Sequence, residues 1–193
     1  MSSCRRPTCW ARTSPRSPNC SAAPDGGDDL PRLFTALVPP EPVVAELDAA
    51  LGPLRAEHPR ARWVRPELWH LTLAFHGDRA DQDEQVERLR RLRGMAAPEL
   101  TLGDAGTFRS GVFWIGVQCP DDALKRLAIA AGADPQRWHP HLTVARRARG
   151  ARLDGYAGRL WTPPQVELVR SELGPGGPVY RTVESALLST SND

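Results

Sequence analysis

His70-Leu71-Thr72-Leu73-Ala74 is repeated in the second half of the chain as His141-Leu142-Thr143-Val144-Ala145, with one conservative change. Side chains alternate between the two faces of a β-strand, so in each copy the histidine and the threonine two residues later point to the same side. The chain therefore offers two matching imidazole–hydroxyl pairs on two strands. Where those strands face each other, the pairs form a symmetric site with two groups that titrate near neutral pH. Such a site is equipped for general acid–base chemistry on an anionic substrate.

The bulk composition is that of a globular protein without a strong charge bias. The chain has 193 residues, of which 40% are hydrophobic and 25% charged, and its net charge is +2. This charge is too small to indicate nucleic-acid binding by itself, but it is compatible with a small anionic ligand held by a few arginines. The chain contains no apolar run near the roughly 18 residues that span a bilayer, no secretory signal core and no disulfide or zinc-type cysteine pattern. We therefore expect a cytoplasmic protein that does not contact a membrane.

Residues 1–30 differ from the rest of the chain in composition. They are rich in Ser, Pro, Arg and Gly-Asp and have almost no apolar periodicity, so they bury too little surface to offset their ordering entropy. We predict a disordered N-terminal extension over 1–30, although its arginine-rich start also resembles a transit peptide. A folded domain of two lobes is expected over 31–188, followed by a short C-terminal tail over 189–193.

Apolar periodicity and turn residues predict an alternation of several strands with a few helices. Many paired strands with few helices favour an α+β fold with antiparallel sheets over a doubly wound parallel fold. Residues 150–160 are ambiguous and suggest one helical turn. The predicted helices span 41–57, 81–93 and 121–131, and the predicted strands span 32–38, 62–64, 69–75, 98–108, 111–118, 141–147, 166–173 and 179–188.

Strings around the two motifs resemble those of a known family. These strings are Arg32–Leu37, Trp69–Gly77, Gly106–Phe108, Val112–Val117 and His139–Arg146. In their order and spacing, the chain resembles the two-histidine (2H) phosphoesterases. Within that superfamily it is most similar to the LigT-like RNA 2′,3′-cyclic phosphodiesterases, historically called 2′-5′ RNA ligases. The resemblance covers essentially the whole predicted domain, 31–188.

This resemblance implies a fold, a reaction and a set of site residues. The fold is bilobal, with two antiparallel sheets that face each other across a central cleft, pseudo-twofold symmetry and helices on the outside. The reaction is hydrolysis of RNA or oligonucleotide 2′,3′-cyclic phosphate ends to a 2′-phosphomonoester, without metal or cofactor, and with weak 2′-5′ ligation in reverse. His70 and His141 are the implied catalytic pair, and Thr72 and Thr143 the implied donors to phosphate oxygens. We expect a monomer that acts on RNA or oligonucleotides with such an end.

Elementary chemistry supports the same assignment. One neutral imidazole can take a proton from water while one protonated imidazole gives a proton to the departing ribose oxygen. Hydroxyl and guanidinium donors stabilise the charge that builds on the phosphoryl oxygens. Either histidine can take either role.

Four further residues have two interpretations each. Arg146 lies at an odd offset from His141, so it points away from the histidine face and forms a surface ion pair, unless a strand end or bulge turns it into the cleft to bind phosphate. Phe34 and Trp138 are candidates for stacking on a base, with core packing as the alternative. His76 replaces the Leu that is usual in the family. Alternation puts it on the face of His70, where it either lines the cleft or is solvated.

Other functions are less consistent with the sequence. A metal site built on His70, His139 and His141 would need an acid or cysteine beside the motifs, and none is there, so we expect no metal. The chain has neither a nucleotide-binding Gly-rich loop nor a Gly-x-Ser-x-Gly motif, which disfavours an ATP-dependent ligase and a serine hydrolase. A phosphodiesterase of a small cyclic-phosphate metabolite is an alternative, suggested by the short segment between Val117 and His139. A non-catalytic RNA- or nucleotide-binding module is the other alternative. The presence of all four motif residues argues against it.

Overall fold

The computed structural model describes residues 32–190. The predicted extension at 1–30 and the last three residues of the predicted tail lie outside this range. The elements follow in the order β1 (Arg32–Leu37), α1 (Glu41–Glu57), β2 (Arg62–Trp63), β3 (Leu71–Gly77), α2 (Gln82–Arg90), β4 (Thr101–Thr107), β5 (Phe113–Gln118), α3 (Ala123–Ala131), β6 (His141–Arg146), β7 (Gln165–Gly174) and β8 (Gly177–Leu187).

The strands form one antiparallel sheet that divides into two halves. Its order is β4-β5-β6-β3-β1-β7-β8, with β2 paired to β6. The halves meet where β3 and β6 share the single residue pair Leu71 and Leu142, whereas the ladders on either side of this seam pair several residues. Each half contains one His-x-Thr motif. The predicted bilobal α+β architecture is therefore confirmed, and the two predicted sheets are the halves of one sheet that is joined at this seam.

All three helices contribute to one core with one face of the sheet. The buried residues of α1 follow helical spacing, and those of α3 do the same. They join a single cluster with sheet residues such as Leu71 and Leu142, and each fully buried leucine stabilises the fold by about 1.5–3 kcal/mol. The other face carries a small cluster of Phe34, Ala36 and Val169, against which Tyr180 packs. This second face is the one that bears the motif side chains.

The ends of several elements differ from the predictions. The bounds predicted for the first helix are confirmed, but α2 ends at Arg90, because Arg91–Gly94 form a turn in which Gly94 has a positive φ of 76°. Residues 150–160 contain no helical turn. They run as an irregular segment in which Ala157 bridges to Gly103 of β4. Among the described residues, no helix has both the length and the apolar character needed to cross a membrane.

Candidate active site

The pairing of Leu71 with Leu142 places the two motifs in symmetric positions. In an antiparallel ladder, the local twofold axis between paired residues maps each neighbour onto its counterpart, so it relates His70 to His141 and Thr72 to Thr143. Both leucines are fully buried in the helix-covered core, and side chains alternate, so the four polar side chains lie on the opposite face. The charge of His141 lowers the pKa of His70, so the two imidazoles lie near each other on this face.

Both imidazoles are held by the same hydrogen bond. Nδ1 of His70 donates to the carbonyl of Leu68 at 2.8 Å, and Nδ1 of His141 donates to the carbonyl of His139 at 2.7 Å. A carbonyl oxygen can only accept, so each Nδ1 carries hydrogen and each Nε2 remains available to a ligand. The two motifs therefore present two equivalent Nε2 atoms that can accept or donate a proton.

Aromatic rings surround each imidazole. The ring of His70 stacks on Phe34 with centroids 4.7 Å apart and meets the ring of Tyr180 edge-on. The ring of His141 meets Phe108 edge-on at 5.1 Å and stacks on His139 at 5.7 Å. These surroundings displace water from both imidazoles.

Burial lowers the pKa of both catalytic candidates. For His70 burial is the largest cause, the carbonyl of Leu68 acts in the opposite direction, and the charge of His141 lowers the pKa further. For His141 burial is again the largest cause, the carbonyl of His139 opposes it, and the charge of His139 lowers the pKa further. The unliganded site therefore favours neutral imidazoles, which are ready to accept a proton.

Each motif strand contains a bulge at the same position. The register of β3 slips between Thr72 and Ala74, and that of β6 slips between Thr143 and Ala145. One extra residue, Leu73 or Val144, is thereby inserted, and in each strand it is buried together with the alanine that follows. The strand β3 slips a second time only beyond Phe75, between Phe75 and Gly77. The bulges at Leu73 and Val144 each reverse the alternation of the residues that directly follow them. As a result, the fifth residue after each histidine turns toward the cleft.

The bulge in β6 brings Arg146 into the cleft. Arg146 lines a cavity of about 390 Å³ together with His70, Thr72 and Tyr180. Its strand partner in β2 is Arg62, directly opposite. Two like charges in this position repel each other, and an anion between them would relieve the repulsion. Of the two predicted orientations of Arg146, the structure has the one that faces the cleft.

The bulge at Leu73 turns His76 away from the cleft, contrary to the prediction from simple alternation. Nε2 of His76 and the hydroxyl of Thr35 are 2.9 Å apart on the helix-covered side of the sheet, where Thr35 is buried. Burial lowers the pKa of His76, Arg88 lowers it further, and Glu84 acts in the opposite direction. His76 does not join the cluster around His70.

The two candidates for base stacking occupy different environments. Phe34 is only 5% exposed and stacks on His70, so its ring supports the imidazole and has little free surface for a base. Trp138 is half-buried, and its indole N–H donates to the carbonyl of Thr72 at 3.0 Å. Its ring lines a second cavity, of about 460 Å³, together with His141.

Several cleft residues were not found by sequence reasoning. Phe75 lines the cleft and escaped because the bulge at Leu73 is not visible in an alternating pattern. Trp114 lies beside His139 and His141, and its indole covers Gly106, where a Cβ atom would approach to 2.4 Å. Gly106 was a visible signal, because only glycine leaves space for that ring. Within residues 32–190, no group of three or more His, Cys, Asp or Glu side chains is placed to hold a metal ion.

Comparisons with known proteins agree with this arrangement. Residues 39–173 match the family model described as the 2′-5′ RNA ligase superfamily. An RNA 2′,3′-cyclic phosphodiesterase of Methanothermobacter thermautotrophicus is 32% identical over 155 residues, which cover 68% of this chain and 84% of that protein. One from Thermus thermophilus is 32% identical over 185 residues, covering 79% and 88%. The crystal structure of E. coli LigT with 3′-AMP has a TM-score of 0.68 at 29% identity, covering 84% of this chain and 99% of that one.

Proposed function

The chain belongs to the 2′-5′ RNA ligase superfamily, and we propose that it is an RNA 2′,3′-cyclic phosphodiesterase. It hydrolyses the cyclic phosphate at the end of an RNA or oligonucleotide to a 2′-phosphomonoester. Two relatives that this chain matches over most of their length are named RNA 2′,3′-cyclic phosphodiesterase. The observation that supports it best is the pair of imidazoles, each with Nδ1 bonded to a carbonyl and Nε2 free on one face of the sheet.

The proposed chemistry uses one imidazole as base and the other as acid. The neutral imidazole takes a proton from water through Nε2 as the water oxygen forms a bond to phosphorus. The protonated imidazole gives its Nε2 proton to the 3′-oxygen of the ribose as the P–O3′ bond breaks. The product keeps the 2′-phosphate and gains a 3′-hydroxyl. In the same displacement, a 5′-hydroxyl that attacks phosphorus in place of water gives a 2′-5′ linkage and a 3′-hydroxyl.

Three further side chains are proposed to stabilise the charge on the phosphoryl oxygens. The hydroxyls of Thr72 and Thr143 lie on the same face as the imidazoles and can each donate one hydrogen bond. Arg146 adds a full positive charge and a forked pair of donors from the cavity wall. Donors fixed before the reaction need no reorganisation when the charge develops.

We further propose that the protein acts as a monomer in the cytoplasm. Both motifs come from one chain and meet at one seam, so a second copy is not needed to complete the site. Sedimentation at working concentration would reveal a dimer if this is wrong.

The test is hydrolysis of a defined oligonucleotide that ends in a 2′,3′-cyclic phosphate, with excess chelator and with the product identified by phosphorus NMR. We expect the 2′-phosphate to form. His70→Ala and His141→Ala should each reduce kcat by about 10²–10⁴-fold, the usual contribution of a general acid or base. His58→Ala is the matched control, because His58 is the C-cap of α1 and lines neither of the two cavities beside the motifs. Wild-type rates in the two motif variants would overturn the proposal.

A further inference from the structure

A second cavity opens beside His141, on the other side of Thr72 from the cavity of Arg146. Phe75, Phe108 and Trp138 line it, and Thr72 and His141 also belong to its wall. Thr72 and Phe75 line both cavities. The proposed phosphate site is therefore bordered by two separate spaces, of about 390 and 460 Å³.

Two aromatic rings of the second cavity are exposed. Phe75 is 65% exposed and Phe108 is 37% exposed, although large aromatic rings are usually covered in a folded protein. The bulge at Leu73 turns Phe75 into the cleft, at the position that the twofold axis relates to Arg146. One half of the cleft thus offers a flat apolar ring where the other half offers a cation.

The polar groups of this cavity favour a base over a phosphate. Asp134 lies in its wall, with one carboxylate oxygen bonded to the backbone N–H of Gln136 at 3.0 Å. A carboxylate repels phosphate but accepts hydrogen bonds from the amino group of a base. Arg137, also in the wall, presents a planar cation that can stack on a base.

We propose that this cavity is a second base-binding subsite. It holds the base of the nucleotide adjacent to the one that carries the cyclic phosphate, while the terminal nucleoside occupies the cavity of Arg146. The inference rests on the proposed function, because it assumes that the phosphate lies between His70 and His141. It predicts that the minimal good substrate is a dinucleotide.

The test compares cytidine 2′,3′-cyclic phosphate with the cytidylyl-cytidine dinucleotide that ends in the same cyclic phosphate. We expect kcat/KM to be about 5- to 100-fold higher for the dinucleotide, the range of one base–aromatic stack. Phe75→Leu combined with Phe108→Leu should bring the ratio close to one. Because the ratio is taken within one protein, any effect of Phe108 on His141 cancels. A dinucleotide whose first residue lacks its base should lose the advantage in wild type.

Leu160→Ala is the control for loss of exposed apolar surface, since Leu160 is 57% exposed and lies outside both cavities; its ratio should match wild type. Binding of the two 2′-phosphate products by calorimetry gives the same comparison without turnover. If the proposed function is wrong, neither ester is hydrolysed, but the ratio of the two products' binding constants can still be measured. An advantage that survives the double variant, or that the abasic dinucleotide retains, would overturn the subsite.

Discussion

The indole N–H of Trp138 donates a hydrogen bond to the carbonyl of Thr72 at 3.0 Å. Trp138 belongs to the loop that enters the second motif, and Thr72 belongs to the first, so this bond joins the two halves of the sheet beside the proposed phosphate site. The ladder joins them through the pair of Leu71 and Leu142. Trp138 therefore adds a second contact between the two halves of the sheet at the seam and helps to set the distance between the two imidazoles.

Replacing Trp138 by Phe keeps an aromatic ring but removes the donor. We expect the free energy of unfolding to fall by about 1 kcal/mol and kcat to fall by about 10-fold, because small displacements of catalytic groups have large effects on rate. Trp161→Phe is the matched control, since the buried indole N–H of Trp161 has no hydrogen-bond partner in the described part of the chain. Equal losses of kcat in the two variants would contradict a positioning role for Trp138.

The lowered pKa values of His70 and His141 predict the pH dependence of the reaction. Activity falls when pH drops below the pKa of the base and when pH rises above the pKa of the acid, so kcat/KM should be bell-shaped. Burial lowers both pKa values, which moves both limbs to lower pH than free imidazoles would give. A bound phosphate anion favours the protonated forms, so the kcat profile should lie at higher pH than the kcat/KM profile. A profile with a single limb would contradict the paired roles.

His139 offers a way to assign the acid and the base. Its charge lowers the pKa of His141, after the larger effect of burial. In His139→Gln we expect one limb of the kcat/KM profile to move to higher pH while the other moves less. Movement of the acidic limb identifies His141 as the base, and movement of the alkaline limb identifies it as the acid. His58→Gln should leave both limbs in place, and an unchanged profile in His139→Gln would show that its charge does not reach His141.

Arg146 should bind the phosphoryl group as a forked cation. Arg146→Gln is expected to reduce kcat/KM by about 10- to 100-fold, the effect of losing charge-assisted hydrogen bonds, and to weaken inhibition by inorganic phosphate. Arg146→Lys should recover only part of the activity, because lysine keeps the charge but not the planar fork. Arg93→Gln, at an exposed arginine in the turn after α2, is the control. An equal loss in that variant would indicate a general effect of charge.

The repeated motif predicted the main features of the site because its physics is local. Alternation placed each histidine and its threonine on one face, and the apolar residue between them became the buried pair of Leu71 and Leu142 at the seam. The antiparallel α+β class and the bounds of α1 also followed from periodicity and turn residues.

The two bulges could not be predicted in the same way. An inserted residue leaves only a weak trace in the sequence, here the consecutive apolar pairs Leu73-Ala74 and Val144-Ala145. Which residue is inserted depends on the register with β1 and β5, which is a tertiary property. The orientations of Phe75, His76 and Arg146 all follow from that register.

His76 should make stability, rather than catalysis, sensitive to acid. Its pKa is lowered in the folded state, mainly by burial and then by Arg88 of α2, while Glu84 of the same helix opposes them. The unfolded chain therefore binds a proton more readily, and folding stability is lost as pH falls from the ordinary imidazole pKa toward the folded one.

His76→Leu removes this contribution, although it leaves the buried hydroxyl of Thr35 without its partner. We expect the variant to be less stable at neutral pH but to have a flatter dependence of unfolding free energy on pH. Its kcat/KM profile should keep the shape of wild type, because His76 faces away from the cleft. If the unfolding free energies of variant and wild type changed with pH in the same way, the pKa of His76 would not differ between the folded and unfolded states.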